Sequence, residues 1–295
     1  MPATLLKGKS LARKIEEEVA SEVTELKQKG ITPHLTVVLV GEDPASRVYV
    51  GSKGKACERA GISSETLTLP ETTTQAELLK VVRSLNQNSD VHGILVQLPL
   101  PGDLDADEVL EVLNPAKDVD GFTPANIGKL LLGFPYTVAC TPAGIIAIMD
   151  HYDVPVEGSD VVILGRSNIV GKPLAALLMQ KTRGRNCTVT VCHSRTKDIA
   201  AYTRRADIIV AAIGSPGFLK ADMVREGCVV IDVGINRVND HTAKRGYRLV
   251  GDADFEALES IASFITPVPG GVGPLTVGML LRNTVKTART CGCPE

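Results

Sequence analysis

Four polar residues in the first half of the chain could together perform acid–base chemistry on a flat heterocycle. Tyr49 and Lys53 are four positions apart on a predicted helix, so they share one face. Gln97 interrupts an apolar strand and Asp120 follows in a loop, both near predicted carboxyl ends of strands. Such a tyrosine can stack on a ring, the lysine can move protons, the glutamine can orient it, and the aspartate can hold a ring amidine. The alternative for Lys53 is an ordinary solvated lysine.

The segment of residues 267–274 is a second candidate, because it reads Pro-Val-Pro-Gly-Gly-Val-Gly-Pro and precedes an apolar run. Proline restricts φ, and glycine allows a backbone to approach a ligand closely. The pattern therefore predicts a rigid loop that contacts a ligand and opens a helix. A plain turn with Pro274 in the first turn of the helix is the alternative.

A third candidate is the turn between a predicted strand at residues 160–164 and the helix that follows. Gly165 and Gly171 would bring a helix N-terminus, with its free N–H groups, to a dinucleotide pyrophosphate. Ser167 stands where the common G-x-G-x-x-G fingerprint has its second glycine. A tight turn unrelated to nucleotides therefore remains an alternative.

The residues after the next predicted strand bear on the choice of nucleotide. An NAD site usually has an acidic residue there for the ribose hydroxyl, whereas this chain has Ser194 and Arg195. With Arg166 in the preceding turn, these residues offer cations and a hydroxyl to a 2′-phosphate. The sequence therefore favours NADP over NAD.

Predicted strands and helices alternate along the whole chain, which indicates βαβ units with parallel sheets and an α/β fold. The predicted helices cover residues 11–29, 45–60, 74–85, 106–113, 142–152, 173–179 and 275–288, with Ser10 as the cap of the first. The predicted strands cover residues 34–40, 65–69, 92–98, 160–164, 188–192, 207–213 and 229–233. We expect two domains, residues 1–141 completed by 275–295, and residues 142–274.

Composition excludes several classes of partner. The 295 residues, 44% of them hydrophobic, suit two domains of ordinary size. The 32 basic and 34 acidic residues are well mixed and tryptophan is absent, so we expect no nucleic-acid partner. No stretch is long and apolar enough to span a membrane. The seven cysteines form no C-x-x-C pair, which suggests reduced thiols, a cytoplasmic location and no metal site, including at Cys291 and Cys293.

Five ordered segments resemble the bifunctional methylenetetrahydrofolate dehydrogenase/methenyltetrahydrofolate cyclohydrolase family. They are residues 49–56, 91–101, 117–121, 165–173 and 267–274. The resemblance implies two α/β domains, the second Rossmann-like and NADP-binding, with folate in a cleft between them. It also implies NADP-dependent oxidation of 5,10-methylenetetrahydrofolate to the methenyl compound and hydrolysis of that to 10-formyltetrahydrofolate. One-carbon metabolism, including purine biosynthesis, and a homodimer are expected on the same ground.

The resemblance also implies roles for individual residues. The catalytic residues are Lys53, Gln97 and Asp120. The residues expected to bind substrate are Tyr49, Val96, Leu98, Pro269, Gly270, Gly271, Val272 and Gly273. Those expected to bind NADP are Gly165, Arg166, Ser167, Ser194, Arg195 and Ile235. Two alternatives stay open, a folate-binding regulatory relative without turnover and an unrelated NADP dehydrogenase acting on a small acid.

Overall fold

The computed structural model describes residues 2–240, 242–243 and 246–291, so Cys293 lies outside the described residues. The chain divides into two compact units. We call Arg13–Cys140 with Val277–Glu295 the small-sheet unit, and Met1–Ala12 with Thr141–Thr276 the large-sheet unit. Each is described by itself.

Helices and strands alternate through most of the chain. The helices are α1 (Gly8–Gln28), α2 (Pro44–Ala60), α3 (Gln75–Gln87), α4 (Ala106–Val112), α5 (Pro124–Leu132), α6 (Cys140–His151), α7 (Gly171–Leu178), α8 (Ile199–Thr203), α9 (Phe255–Glu259) and α10 (Gly273–Cys291). The strands are β1 (Thr4–Leu5), β2 (His34–Val40), β3 (Ser63–Leu69), β4 (Gly93–Val96), β5 (Asp160–Leu164), β6 (Thr188–Cys192), β7 (Ile208–Ala211), β8 (Val229–Asp232), β9 (Asn236–Asn239), β10 (Tyr247–Val250) and β11 (Phe264–Ile265).

The small-sheet unit is built on a parallel sheet in the order β3-β2-β4. The central strand β2 is buried from Leu35 to Val40, which is why its sequence is a continuous apolar run rather than an alternating one. Helix α3 packs its apolar side, which includes Leu78 and Val82, into the same core as Ile94 of β4. The carboxyl ends of β2 and β4 therefore lie side by side at one edge of the sheet.

The large-sheet unit contains a parallel sheet in the order β1-β11-β8-β7-β5-β6 and a separate antiparallel hairpin of β9 and β10. From β5 the chain passes first to β6 on one side and then to β7 on the other. Such a reversal creates a crevice at the carboxyl ends of the strands, where open α/β sheets bind their ligands. The turns after β5, β7 and β8 all lie at that edge.

The predicted α/β class with parallel sheets is confirmed, whereas two local details differ. Ser10 is not the cap of α1, because the helix already begins at Gly8, whose N–H donates to Gly270 O at 2.8 Å. The predicted first domain starts at residue 1, but β1 pairs with β11 inside the large-sheet unit. A two-residue strand has no periodicity to recognise and takes its extended form from that pairing. Within the described residues, no helix is long and apolar enough to cross a membrane.

Candidate active site

The predicted partnership of Lys53 and Gln97 is present in the small-sheet unit. Lys53 Nζ donates a hydrogen bond to Gln97 Oε1 at 3.0 Å. The amide of Gln97 in turn donates from Nε2 to Leu98 O at 2.7 Å, which leaves its oxygen directed at the lysine. Gln97 therefore restrains the position of the ammonium group, and the lysine is partly buried rather than fully solvated.

Lys53 lies on helix α2, whose two ends are fixed by common capping residues. The Asp43 side chain accepts a hydrogen bond from Ser46 N at 2.7 Å, and Pro44 occupies the first turn. Gly61 ends the helix in the left-handed conformation with φ 74°. Tyr49 lies one turn before Lys53 and is 50% exposed, so its ring is open to a ligand.

Asp120 follows the buried residue Val119 in the loop between α4 and α5. Burial raises its pKa from 3.8 to about 6, the Lys53 charge opposes this rise, and Asp118 adds to it. The thiol of Cys140 lies 3.8 Å from Asp120 Oδ1. Burial and the neighbouring Asp120 raise the pKa of that thiol well above its usual range, so it stays protonated and acts as a weak donor.

The loop that carries Asp120 is held from two sides. Asp118 is fully buried, and its carboxylate accepts hydrogen bonds from Gly121 N and Thr123 N, each at 2.8 Å. Asn283 of α10 donates to Val119 O at 2.7 Å and also to Val138 O. Sequence reasoning missed Asn283, because one amide on a helix of mixed composition gives no local signal.

Three of the residues predicted for the folate site line one groove of the small-sheet unit. Val96 and Leu98 lie at the end of β4 and Asp120 closes the other side of this narrow groove, whose volume is about 10 Å³. The rest of the lining is largely apolar and includes Phe122 and Val109. The carboxylate at one end of this apolar lining can accept hydrogen bonds from a ligand that offers N–H groups.

In the large-sheet unit, the turn after β5 is tightly packed. A Cβ atom on Gly165, whose φ is 115°, would collide with Ala212 O, and one on Gly171 would collide with Gly165 O. Ser167 Oγ accepts a hydrogen bond from Val170 N at 3.1 Å, which closes the turn without a glycine at this position. Within the described chain, no side chain caps the N-terminus of α7, so its positive end is available to an anion.

A second turn follows β6 at the same edge of this sheet, because Leu164 of β5 is in register with Cys192 of β6. The turn is closed by hydrogen bonds between His193 and Thr196. It leaves Ser194 and Arg195 exposed, as Arg166 is after β5. Exposed cations and a hydroxyl after neighbouring strands form a donor set that fits a phosphate on the ribose of a dinucleotide.

The Pro–Gly loop also lies in the large-sheet unit. One cavity of about 130 Å³ is lined by the residues from Pro267 to Pro274, the turn from Asp232 to Ile235, and Leu249. The structure thus brings Ile235 together with the predicted substrate residues 269–273. A Cβ atom on Gly271 would lie 2.8 Å from Pro267 O, so this position requires glycine.

These observations define a two-unit α/β enzyme with a dinucleotide-binding sheet in one unit and a lysine–amide pair near a partly buried carboxylate in the other. Residues 6–120 match the catalytic-domain model of tetrahydrofolate dehydrogenase/cyclohydrolase, and residues 139–291 match its NAD(P)-binding-domain model. The chain belongs to the tetrahydrofolate dehydrogenase/cyclohydrolase family.

Individual relatives match over nearly the full length. The bifunctional protein FolD of Chloroherpeton thalassium is 54% identical, and the match covers 96% of this chain and 97% of that protein. The crystal structure of the Campylobacter jejuni FolD methylenetetrahydrofolate dehydrogenase/cyclohydrolase is 50% identical with a TM-score of 0.92, over 98% of this chain and 99% of that one. The Trypanosoma brucei FolD, solved with NADP and an inhibitor, is 38% identical with a TM-score of 0.93 over 100% of both chains.

Proposed function

We propose that this chain catalyses two consecutive reactions on one folate. The first is NADP-dependent oxidation of 5,10-methylenetetrahydrofolate to 5,10-methenyltetrahydrofolate. The second is hydrolysis of that cation to 10-formyltetrahydrofolate, a formyl donor of the kind purine biosynthesis uses. The observation that carries the proposal is the hydrogen bond from Lys53 to Gln97 in the unit that also holds the partly buried Asp120.

The oxidation depends mainly on alignment. NADP, when bound, accepts a hydride from the methylene carbon, which leaves a delocalised cation and requires no strong acid or base. Ile235 and the loop of residues 269–273 line one cavity, and they would fix the distance and angle between donor and acceptor. Close backbone packing at Gly165 and Gly171 makes this frame rigid.

The hydrolysis does require proton transfer. Water adds to the methenyl carbon and loses a proton, and N5 gains a proton. The bond from that carbon to N5 then breaks, and the added hydroxyl group releases its remaining proton to solvent as the formyl C=O forms. Lys53 in its neutral form would accept the proton from water, and as an ammonium it would return a proton to N5. Gln97 would keep the amine in the productive orientation through its 3.0 Å contact. The same side chain thus serves both proton transfers.

Asp120 would bind the pterin ring and not act as the proton carrier. As a carboxylate it can accept paired hydrogen bonds from the ring N–H groups, with Val96 and Leu98 as apolar walls of the groove. Tyr49, half exposed one turn before Lys53, would stack on the folate. These roles place binding and proton transfer on different residues.

For the cofactor, the proposal is that Arg166, Ser194 and Arg195 read the 2′-phosphate and so favour NADP. We further propose a homodimer from the family resemblance, which sedimentation can test against the 31.3 kDa of one chain. A cytoplasmic location is supported by the six described cysteines, all of which are free thiols, five of them buried. Buried free thiols suit a reducing compartment.

The test is Lys53→Met, with Lys55→Met as the matched control because Lys55 is exposed on the same helix. Decay of methenyltetrahydrofolate should slow by about a hundredfold to ten-thousandfold in Lys53→Met, the usual contribution of general acid–base help. NADPH formation from methylenetetrahydrofolate should remain measurable, and Lys55→Met should retain both rates. Undiminished hydrolysis by Lys53→Met would remove the lysine from the mechanism.

A further inference from the structure

Two buried carboxylates of the large-sheet unit have no part in the chemistry described so far. Asp232 ends β8 and is 3% exposed, and Asp252 follows β10 and is 0% exposed. Among the described residues, neither forms an ion pair with a lysine, an arginine or a histidine. Burial of such groups is costly unless hydrogen bonds compensate for it. The hydrogen-bond partners of Asp232 and Asp252 therefore show which parts of the backbone the two carboxylates hold in place.

Asp252 binds two separate turns at the ligand edge of the sheet. Its Oδ2 accepts hydrogen bonds from Ile213 N at 2.7 Å and Gly214 N at 2.9 Å, which follow β7. Its Oδ1 accepts one from Asn236 Nδ2 at 2.9 Å, at the start of β9 just past the turn that follows β8. One carboxylate thus fixes the distance between the two turns.

Asp232 holds Asp252 itself in place. Its Oδ1 accepts hydrogen bonds from Asp252 N and Gly234 N, both at 2.9 Å, and its Oδ2 accepts one from Ala253 N at 2.8 Å. A Cβ atom on Gly251 would collide with the Asp232 carboxylate, and one on Gly234 would collide with the Asp252 carboxylate. The two side chains fill the space that these glycines leave, so neither can shift freely.

The turn after β7 is also in contact with the glycine turn after β5. Gly165 packs directly against Ala212 O, the residue before Ile213. A displacement of the Ile213 backbone would therefore reach the turn expected to hold the pyrophosphate. Ile235 lies between Gly234 and Asn236, and the aspartate pair holds both of these neighbours.

We propose that Asp252 is a positioning residue for the dinucleotide, which sets the spacing of the turns after β7 and β8 around the nicotinamide end. This inference rests on the proposed dehydrogenase activity. It does not concern the hydrolytic step, which uses Lys53 and Gln97 of the small-sheet unit and consumes no dinucleotide. The two activities of one protein sample therefore separate positioning of the cofactor from simple loss of folded protein.

The experiment compares Asp252→Ala with Asp254→Ala, an exposed aspartate two positions further on that pairs with Lys220. Both rates and the KM for NADP are measured on each protein. We expect Asp252→Ala to raise the KM for NADP or lower the oxidation rate by about tenfold to a hundredfold, as misplacement of reacting groups does. Its hydrolysis of methenyltetrahydrofolate should stay within about twofold of the parent, and Asp254→Ala should leave both rates unchanged.

Asp252→Asn serves as the conservative variant. Its amide oxygen can still accept hydrogen bonds from Ile213 N and Gly214 N, so this variant should oxidise the folate at most of the parent rate. If only the charge of Asp252 mattered, Asp252→Asn would be as impaired as Asp252→Ala. Equal loss of both activities in Asp252→Ala, or loss of neither, would overturn the positioning role.

A second variant is available if Asp252→Ala does not fold. Asn236→Ala removes one of the three hydrogen bonds to Asp252 and should raise the KM for NADP several-fold. An unchanged KM for NADP would overturn the inference. A parent enzyme without either activity would instead refute the proposed function.

Discussion

Replacement of Asp120 by asparagine is expected to strengthen the fold while it weakens folate binding. Burial raises the pKa of Asp120 from 3.8 to about 6, so above pH 6 the folded state carries a carboxylate that the unfolded chain would solvate better. At about 1.4 kcal/mol per pKa unit, this difference costs the folded protein roughly 3 kcal/mol at pH 7.5. The cost shrinks as the pH falls through 6, because the folded protein then takes up the proton. Asparagine has the same shape without the charge.

The measurement is the urea midpoint of the parent and of Asp120→Asn at pH 7.5 and pH 5. The variant should have the higher midpoint at pH 7.5, and the gap should narrow at pH 5. Asp118→Asn is the control with the opposite expected effect. Its amide keeps one acceptor oxygen but leaves either Gly121 N or Thr123 N facing an NH2 group, so this variant should be less stable than the parent at both pH values. Equal midpoints for parent and Asp120→Asn at pH 7.5 would refute the argument from burial.

The same variant should lose folate affinity. A hydrogen bond to a charged group contributes about 1.5–3 kcal/mol, so the KM for methylenetetrahydrofolate should rise roughly tenfold to a hundredfold while the KM for NADP stays the same. In the parent, the folate KM should also rise below pH 6 as Asp120 is protonated. A folate KM in Asp120→Asn equal to that of the parent would show that the carboxylate does not contact the ring.

Three further outcomes are expected. Arg166→Ala should raise the KM for NADP at least tenfold and that for NAD less than about twofold; equal losses would mean that it does not read the 2′-phosphate. Burial lowers the pKa of His92, whose Nδ1 accepts His34 N–H, so the parent should lose stability as the pH falls through about 6.5, and His92→Gln should reduce that loss in melting curves at pH 7.5 and 5. Gly171→Ala should impair NADP binding in a titration, whereas Gly128→Ala, with open space at its Cβ, should not.

The sequence was informative where burial is uniform along an element. Strands β2 and β5 are apolar runs because both faces are covered, and their positions were predicted closely. The hairpin of β9 and β10 was missed, since four-residue strands such as Asn236–Asn239 alternate too briefly to recognise. Helix α5 was also missed, because the glycine in its middle and the proline at its start read as loop signals.

In the candidate site too, some residues could be recognised from the sequence and others could not. Gln97 stands out in the sequence because it interrupts an apolar strand near its carboxyl end, and Lys53 because it shares a helix face with Tyr49. The two side chains are in contact in the structure. Their catalytic roles stay predictions. Asn283 and Asp252 could not be found that way, because what they do depends on backbone groups that only the tertiary fold brings to them. A buried acceptor or donor of this kind has no spacing rule along the chain.

The pairing of β1 with β11 has a consequence during synthesis on the ribosome. Thr4 is synthesised about 260 residues before its partner Phe264, which belongs to the last strand of that sheet to be made. At about 5–20 residues per second, the first strand waits roughly 13 to 50 seconds for its neighbour. The edge of the large sheet therefore closes only after β11 has been translated, and until then a nascent-chain chaperone has the unpaired β1 segment to bind.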